Sequence, residues 1–209
     1  MGVDVRALLA AVRPAAGENR LVEAVQRGEA PLAAVAALAA EERLIVASDR
    51  RSFLTLAARA EDDAAAGFFT GLAHGESLAL PLLEPLAAAA GDDPGAPRAG
   101  CQAYPAYVAW LALNAEPGAA ALALVANFPA WGGYCAGLAA GLREHYGFGD
   151  QECAFLDFFA GEVQEMEAQA LDAARHVRQP GAARVYARLL HDYETGFWRT
   201  LATVGQSRK

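Results

Sequence analysis

The residues in this chain best suited to chemistry are one carboxylate and a set of aromatic side chains that stand beside proline, glycine or each other. Glu194 begins the run Glu194-Thr195-Gly196-Phe197-Trp198. Tyr104-Pro105-Ala106-Tyr107 places two phenols on a predicted helix, and Phe128-Pro129-Ala130-Trp131-Gly132-Gly133-Tyr134 follows further along. Phe155-Leu156-Asp157-Phe158-Phe159 adds a third aromatic cluster at the start of an acidic stretch. A carboxylate with one or two phenols facing an aromatic pocket can hold an amino-heterocycle or a cation, because carboxylates accept from N–H groups and aromatic faces stack on or attract positive charge. If burial raises its pKa, such a carboxyl can also act as general base and then acid.

Other chemistries find less support. Cys101, Cys135 and Cys153 form neither a CxxC pair nor a zinc-like spacing and read as reduced, buried thiols. His74 with Glu76, and Asp172 with His176, come nearest to metal-ligand pairs. Asp172 and His176 are spaced to share a helical face and read as a solvated salt pair. Glu162, Glu165 and Glu167 read as a wet helical face. A net charge of -8 and a pI near 5.0 argue against a nucleic-acid surface, which needs clustered Lys and Arg. The most apolar segments, 30–40 and 119–128, are too short to span a membrane, and residues 1–9 do not read as a signal peptide. A cytoplasmic protein is the expectation.

The elements that must position these residues are helices. Residues 18–27 have helical apolar spacing and stop at Gly28; residues 32–59 run on without Gly or Pro, as one short and one long helix or one bent helix. Asp62 and Asp63 suit the next N-terminus, and Pro81 and Pro85 predict a break near Leu80. Residues 91–100 read as a loop. Beyond it, residues 102–114 and 118–127 read as two helices, and Pro129 opens another to about Tyr146. Asp150 caps a helix expected to reach about Arg178, and a last helix covers about 182–204. No hairpin-separated alternation supports a sheet. With 209 residues, 55% of them hydrophobic, the chain suits one all-α domain over 1–209.

The aromatic runs, taken in order, resemble the TenA/thiaminase II family, whose fold is the heme-oxygenase-like helical bundle. The resemblance implies a small-molecule pocket with Glu42 at the family's substrate-binding aspartate and Glu194 in its Glu-x-x-Phe-Trp element. It also implies substrate-binding positions at Tyr104, Tyr107, Ala130, Trp131, Tyr134, Phe159 and Trp198. In that family a cysteine after the proline attacks an aminopyrimidine; here that position is Ala130, which has no atom able to form the covalent intermediate. Cys135 lies roughly 140° around the helix from Ala130 and should point elsewhere. Two family tyrosines fall at Ile45 and Phe159, which suggests a more apolar pocket and a less polar ligand.

The di-iron branch of the same fold needs carboxylates and histidines that this chain does not supply, with Ala136 at one ligand position. The cofactorless oxidase branch depends on several pocket histidines and fits poorly. The expectation is therefore a divergent enzyme of specialised metabolism without metal or cofactor, acting on a small nitrogen-containing or heterocyclic metabolite, with Glu194 as its acid/base. The alternative is a non-catalytic small-molecule-binding or regulatory protein. Thiaminase activity itself is disfavoured by Ala130. A homodimer or homotetramer would be in keeping with the family.

Overall fold

The computed structural model describes residues 4–14, 17–91, 95–161 and 163–205. It contains α1 (Val5–Val12), α2 (Arg20–Gln26), α3 (Leu32–Arg59), α4 (Asp63–Ala79), a 3-10 turn (Leu80–Leu82), α5 (Leu83–Ala90), α6 (Ala99–Asn114), α7 (Pro117–Tyr146), α8 (Asp150–Phe159), α9 (Gln164–Ala173) and α10 (Pro180–Leu201). Among the described residues there is no strand.

Short polar side chains start several of these helices by satisfying the amides that a first turn leaves open. The Asp4 carboxylate accepts from the Arg6 and Ala7 amides, Asn19 from those of Leu21 and Val22, and Asp62 from that of Ala65. The break expected near Leu80 is the 3-10 turn. At the end of α7, Gly147 adopts φ 75°, a left-handed conformation that costs glycine little.

Of the two forms expected for residues 32–59, the single helix is the one found. The structure departs from the sequence expectation in two places. α7 runs unbroken through Pro129, where two helices were expected; proline removes one backbone hydrogen bond, but α2, α8, α9 and α10 all pack along this helix and hold it together. The resulting 30-residue segment is long and apolar enough to cross a membrane, a length the separate segments lacked, yet 61% of its apolar window is buried inside the bundle. Conversely, the acidic stretch expected as one helix to about Arg178 is split into α8 and α9 around Gly161. Because α9 ends at Ala173, His176 lies beyond it, and Asp172 pairs with Arg175 at 3.2 Å.

Packing closes six helices into a ring: α3 lies against α4, α4 against α9, α9 against α7, α7 against α10, α10 against α6, and α6 again against α3. Outside it, α2 lies close to α7, where a Cβ on Gly141 would come within 2.8 Å of the Val25 carbonyl carbon. The core has two clusters. One gathers Ile45, Val46, Cys135, Phe155, Phe197 and Trp198; the other gathers Phe53, Phe68, Phe69, Leu124, Ala187 and Leu190. Glu41 is also buried, accepting from the Arg98 amide at 2.8 Å and Gln102 Nε2 at 2.6 Å, and it ties α3 to the start of α6.

Candidate functional site

The ring encloses a cavity of about 480 Å³, and all six of its helices contribute to the wall, with α8 and the α8–α9 connection completing it. That volume is in the range of small-molecule pockets, roughly 300 to 1,000 Å³. Both core clusters reach the wall, Ile45, Val46 and Phe197 from one and Phe53 and Phe68 from the other.

Four buried or half-buried carboxylic acids face this space: Glu42 and Asp49 from α3, Glu76 from α4 and Glu194 from α10. Glu42 and Asp49 are each 4% exposed and Glu194 is 6%. Burial pushes the Glu42 carboxyl well above the usual range, helped by the nearby charges of Glu76, Glu194 and Glu41. Burial does the same to Asp49, with Glu76 and Glu42 adding to it. Glu76 is pushed up to about 8 by burial. Glu194 is pushed up to about 7 by burial, against the opposing pull of a hydrogen bond from Trp198 Nε1 to its Oε1 at 3.4 Å. An empty site near neutral pH therefore holds protons, because ionising several enclosed like-charged groups is costly. Tyr104 belongs to the same group: burial raises its phenol, and the charges of Asp49, Glu194, Glu76 and Glu42 all act on it.

Aromatic faces make up much of the remaining wall. Trp131 stands at the centre of a set of rings, with centroids 6.0 Å from Phe159, 6.3 Å from Phe197 and 5.4 Å from Trp198. Phe128, Phe158, Phe53 and Phe68 also line the space. Of the described residues on the wall, none is Lys, Arg or His.

Of the residues expected from the sequence, the fold brings Glu42, Tyr104, Trp131, Phe159 and Glu194 together around the cavity. The other four lie off its wall. Trp198 stands behind Glu194 as its hydrogen-bond donor. Tyr134 packs edge-on against Trp198, with its hydroxyl donating to the Gly17 carbonyl at 3.3 Å. Tyr107 stacks on Trp110 and approaches Tyr193, and its buried hydroxyl has no hydrogen-bond partner. Ala130 is half-buried, between Asn127, Phe128 and Trp131, which do line the cavity.

Sequence reasoning missed Asp49, Glu76 and Asn127. Asp49 stands beside Arg50 and Arg51 in a charged stretch of the sequence, and Glu76 pairs in spacing with His74, which is exposed. The signal for Asp49 was its seven-residue spacing from Glu42, two helical turns on one face. Glu165, assigned to a wet face, stands on the cavity wall although exposed; Glu162 lies outside the described residues. Gly132 has a packing reason, since a Cβ there would lie 2.9 Å from the Phe159 carbonyl oxygen. Among the described residues no group of three or more His, Cys, Asp or Glu is arranged to hold a metal ion.

All three thiols are buried. Cys135 does not line the cavity, yet Glu42 and Glu194 lie near enough to raise its pKa beyond what burial does. Burial likewise pushes Cys101 up to about 12 and raises Cys153. Thiolate, not thiol, is the nucleophile, so none of them is poised for attack. A thiol reagent such as DTNB at neutral pH should leave the native protein unlabelled and titrate all three cysteines once it is denatured; fast labelling of the native protein would contradict this account.

A solved structure of a TenA family transcription regulator from Silicibacter sp. TM1040 superposes on this chain with a TM-score of 0.68, covering 97% of each chain at 15% identity. The fold is heme-oxygenase-like. A second structure, a domain of unknown function with a heme oxygenase-like fold from Shewanella denitrificans OS217, gives a TM-score of 0.59 over 98% of this chain and 94% of its own, at 16% identity. No protein-family model matches the sequence, and no curated protein matches it either. The TenA-like bundle expected from the aromatic runs is thus the architecture found, and within it the cavity is the space enclosed by the ring of six helices.

Proposed function

We propose that this chain is a divergent TenA-like enzyme acting on a small nitrogen-containing, partly apolar metabolite, with Glu194 as acid/base. The observation that carries the reading is the make-up of the cavity wall: four enclosed carboxylic acids, the exposed Glu165 and a phenol set among aromatic faces, with no basic side chain on the described wall. Such a wall accepts hydrogen bonds and favours positive charge, as an amine, amidine or protonated heterocycle would supply. It disfavours anions. The acid group makes this site more polar than Ile45 and Phe159 alone would suggest, while leaving the ligand's body in apolar surroundings.

Glu194 suits proton transfer because its pKa of about 7 lets it both accept and return a proton near neutral pH. Trp198 fixes the carboxyl from behind, and Glu42 and Tyr104 stand on the same wall to position the substrate. Without a thiol at Ala130, a proton-transfer step in hydrolysis or elimination replaces covalent attack in this reading. The second reading is a ligand-binding or regulatory protein that kept the cavity and lost the chemistry; it is favoured by the absence of a thiol at Ala130 and by the TenA family regulator that shares the fold.

The two readings separate when wild type and Glu194→Gln are incubated with a panel of primary amines, amides and amino-heterocycles and products are followed by mass spectrometry. The enzyme reading expects product from wild type and at least about a hundredfold less from Glu194→Gln, a loss of the size that general acid–base catalysis supplies. The variant should keep its helical content and melt no lower than wild type. Turnover that survives the substitution would remove Glu194 from the mechanism. Thermal stabilisation without product would favour the binding protein.

A further inference from the structure

We propose that the cavity takes an elongated molecule with a nitrogen donor at each end, one end held by Glu42 and Glu194 and the other by Asp49 and Asn127. The inference rests on the reading of the cavity as a site for nitrogen bases, and it adds a second subsite and a length.

Three helices give the same separation between the two ends. On α3, Glu42 and Asp49 are seven residues apart, so they share a face and stand about 10 Å apart along the axis. On α10, Ala187, whose carbonyl accepts from Asn127 Nδ2 at 3.4 Å, precedes Glu194 by the same interval. On α7, Asn127 precedes Tyr134 by that interval and Cys135 by one residue more, and the charge of Glu194 acts on both. Glu76 joins the ends from α4, since its charge acts on Glu42 and on Asp49.

The far end shows an unmet requirement. Asp49 Oδ1 and Asn127 Oδ1 are both buried without a hydrogen-bond partner, in side chains 4% and 5% exposed. The Asn127 amide cannot answer this by turning over, because its Nδ2 already donates to the Ala123 and Ala187 carbonyls. The Asn127 oxygen is thus an acceptor waiting for a donor, and Asp49 becomes a second one when it gives up its proton to a bound amine; leaving such buried groups unpaired is costly. An ammonium carries three donors and can serve both. Between the ends, Ile45, Val46, Phe128 and Phe159 suit an alkyl or aryl middle.

The test is calorimetric titration of the protein with α,ω-diaminoalkanes of four to ten carbons and with n-alkylamines of the same lengths. Diamine affinity should peak where the nitrogens span about 10 Å. There the diamine should bind at least about tenfold more tightly than the matching monoamine, since its second end binds at high effective concentration. Asp49→Asn should return that ratio to near one, and Asn127→Leu should do the same without altering charge. Glu194→Gln should weaken both series. Diamines that bind no better than monoamines at any length, or an advantage that survives in both far-end variants, would overturn the second subsite and leave the amine site standing. If neither series binds, both proposals fall.

Discussion

Raising the pH from about 5.5 to about 8 should lower the melting temperature of the ligand-free protein by about 5 °C or more. The sign follows from the acids on the cavity wall. Glu42, Asp49, Glu76 and Glu194 all have folded-state pKa values raised above those of an unfolded chain, with Glu194 at about 7 and Glu76 at about 8. Between the ordinary carboxyl range and those values the folded protein binds more protons than the unfolded one. Their contribution is therefore fully present below the ordinary carboxyl range and is lost as pH rises through that window. Glu76→Gln and Glu194→Gln should each flatten the slope and raise the melting temperature at pH 8, because a neutral amide loses nothing by staying enclosed. Differential scanning calorimetry across the window reads this directly. A melting temperature that rises with pH would mean that the four groups are ionised and well solvated in the folded state.

Gly75→Leu should abolish binding of any ligand in the cavity, by at least about a hundredfold in Kd, while the protein stays folded. α4 carries Gly67, Gly71 and Gly75 at four-residue intervals, and nothing lies within 4 Å of where a Cβ would stand on any of them. Glycine inside a helix costs about 1 kcal/mol relative to alanine, and here no close helix contact accounts for it. Gly71 and Gly75 line the cavity, so the open space they leave belongs to the site. Gly71→Ala and Gly75→Ala should each stabilise the protein by up to about 1 kcal/mol, because the helix gains and no neighbour is displaced. A leucine at Gly75 has room to extend into the cavity and occupies the ligand's place. Denaturant unfolding, with calorimetric titration of whichever amine binds wild type, measures both effects. Destabilisation by the alanines would show that α4 needs its glycines for packing, and unchanged binding in Gly75→Leu would move the ligand elsewhere.

Much of the architecture was legible because helix ends have local causes. Asp62, Gly147 and the prolines near Leu80 mark boundaries that the fold respects. Pro129 misled because a proline's local cost is offset where a helix is packed along its length, as α7 is against four neighbours. The split at Gly161 went unread because an isolated glycine costs a helix only about 1 kcal/mol and does not by itself mark a break.

For the site, the aromatic runs pointed to Trp131, Phe159 and Glu194, since these belong to recognisable local patterns. Asp49 and Glu76 sit among ordinary charged and small residues, and only the ring closure of α3 and α4 with α6, α7, α9 and α10 turns them inward. Tyr134 and Trp198 were selected by the same patterns as Glu194, yet they stand behind its carboxyl and off the wall. Sequence neighbours in a motif share a helix; whether they share a cavity depends on which face that helix presents.

Under the function proposed above, the cavity selects positive, nitrogen-bearing ligands through its carboxylic acids. Thermal shift near pH 7 with benzylamine, benzyl alcohol and benzoate tests it most directly, because the three keep one aromatic body and change only the charge and donors of the head group. The account predicts stabilisation by benzylamine, little by the alcohol and none by benzoate, with the benzylamine effect reduced in Glu194→Gln and Glu42→Gln. Equal stabilisation by all three, or a preference for benzoate, would contradict it.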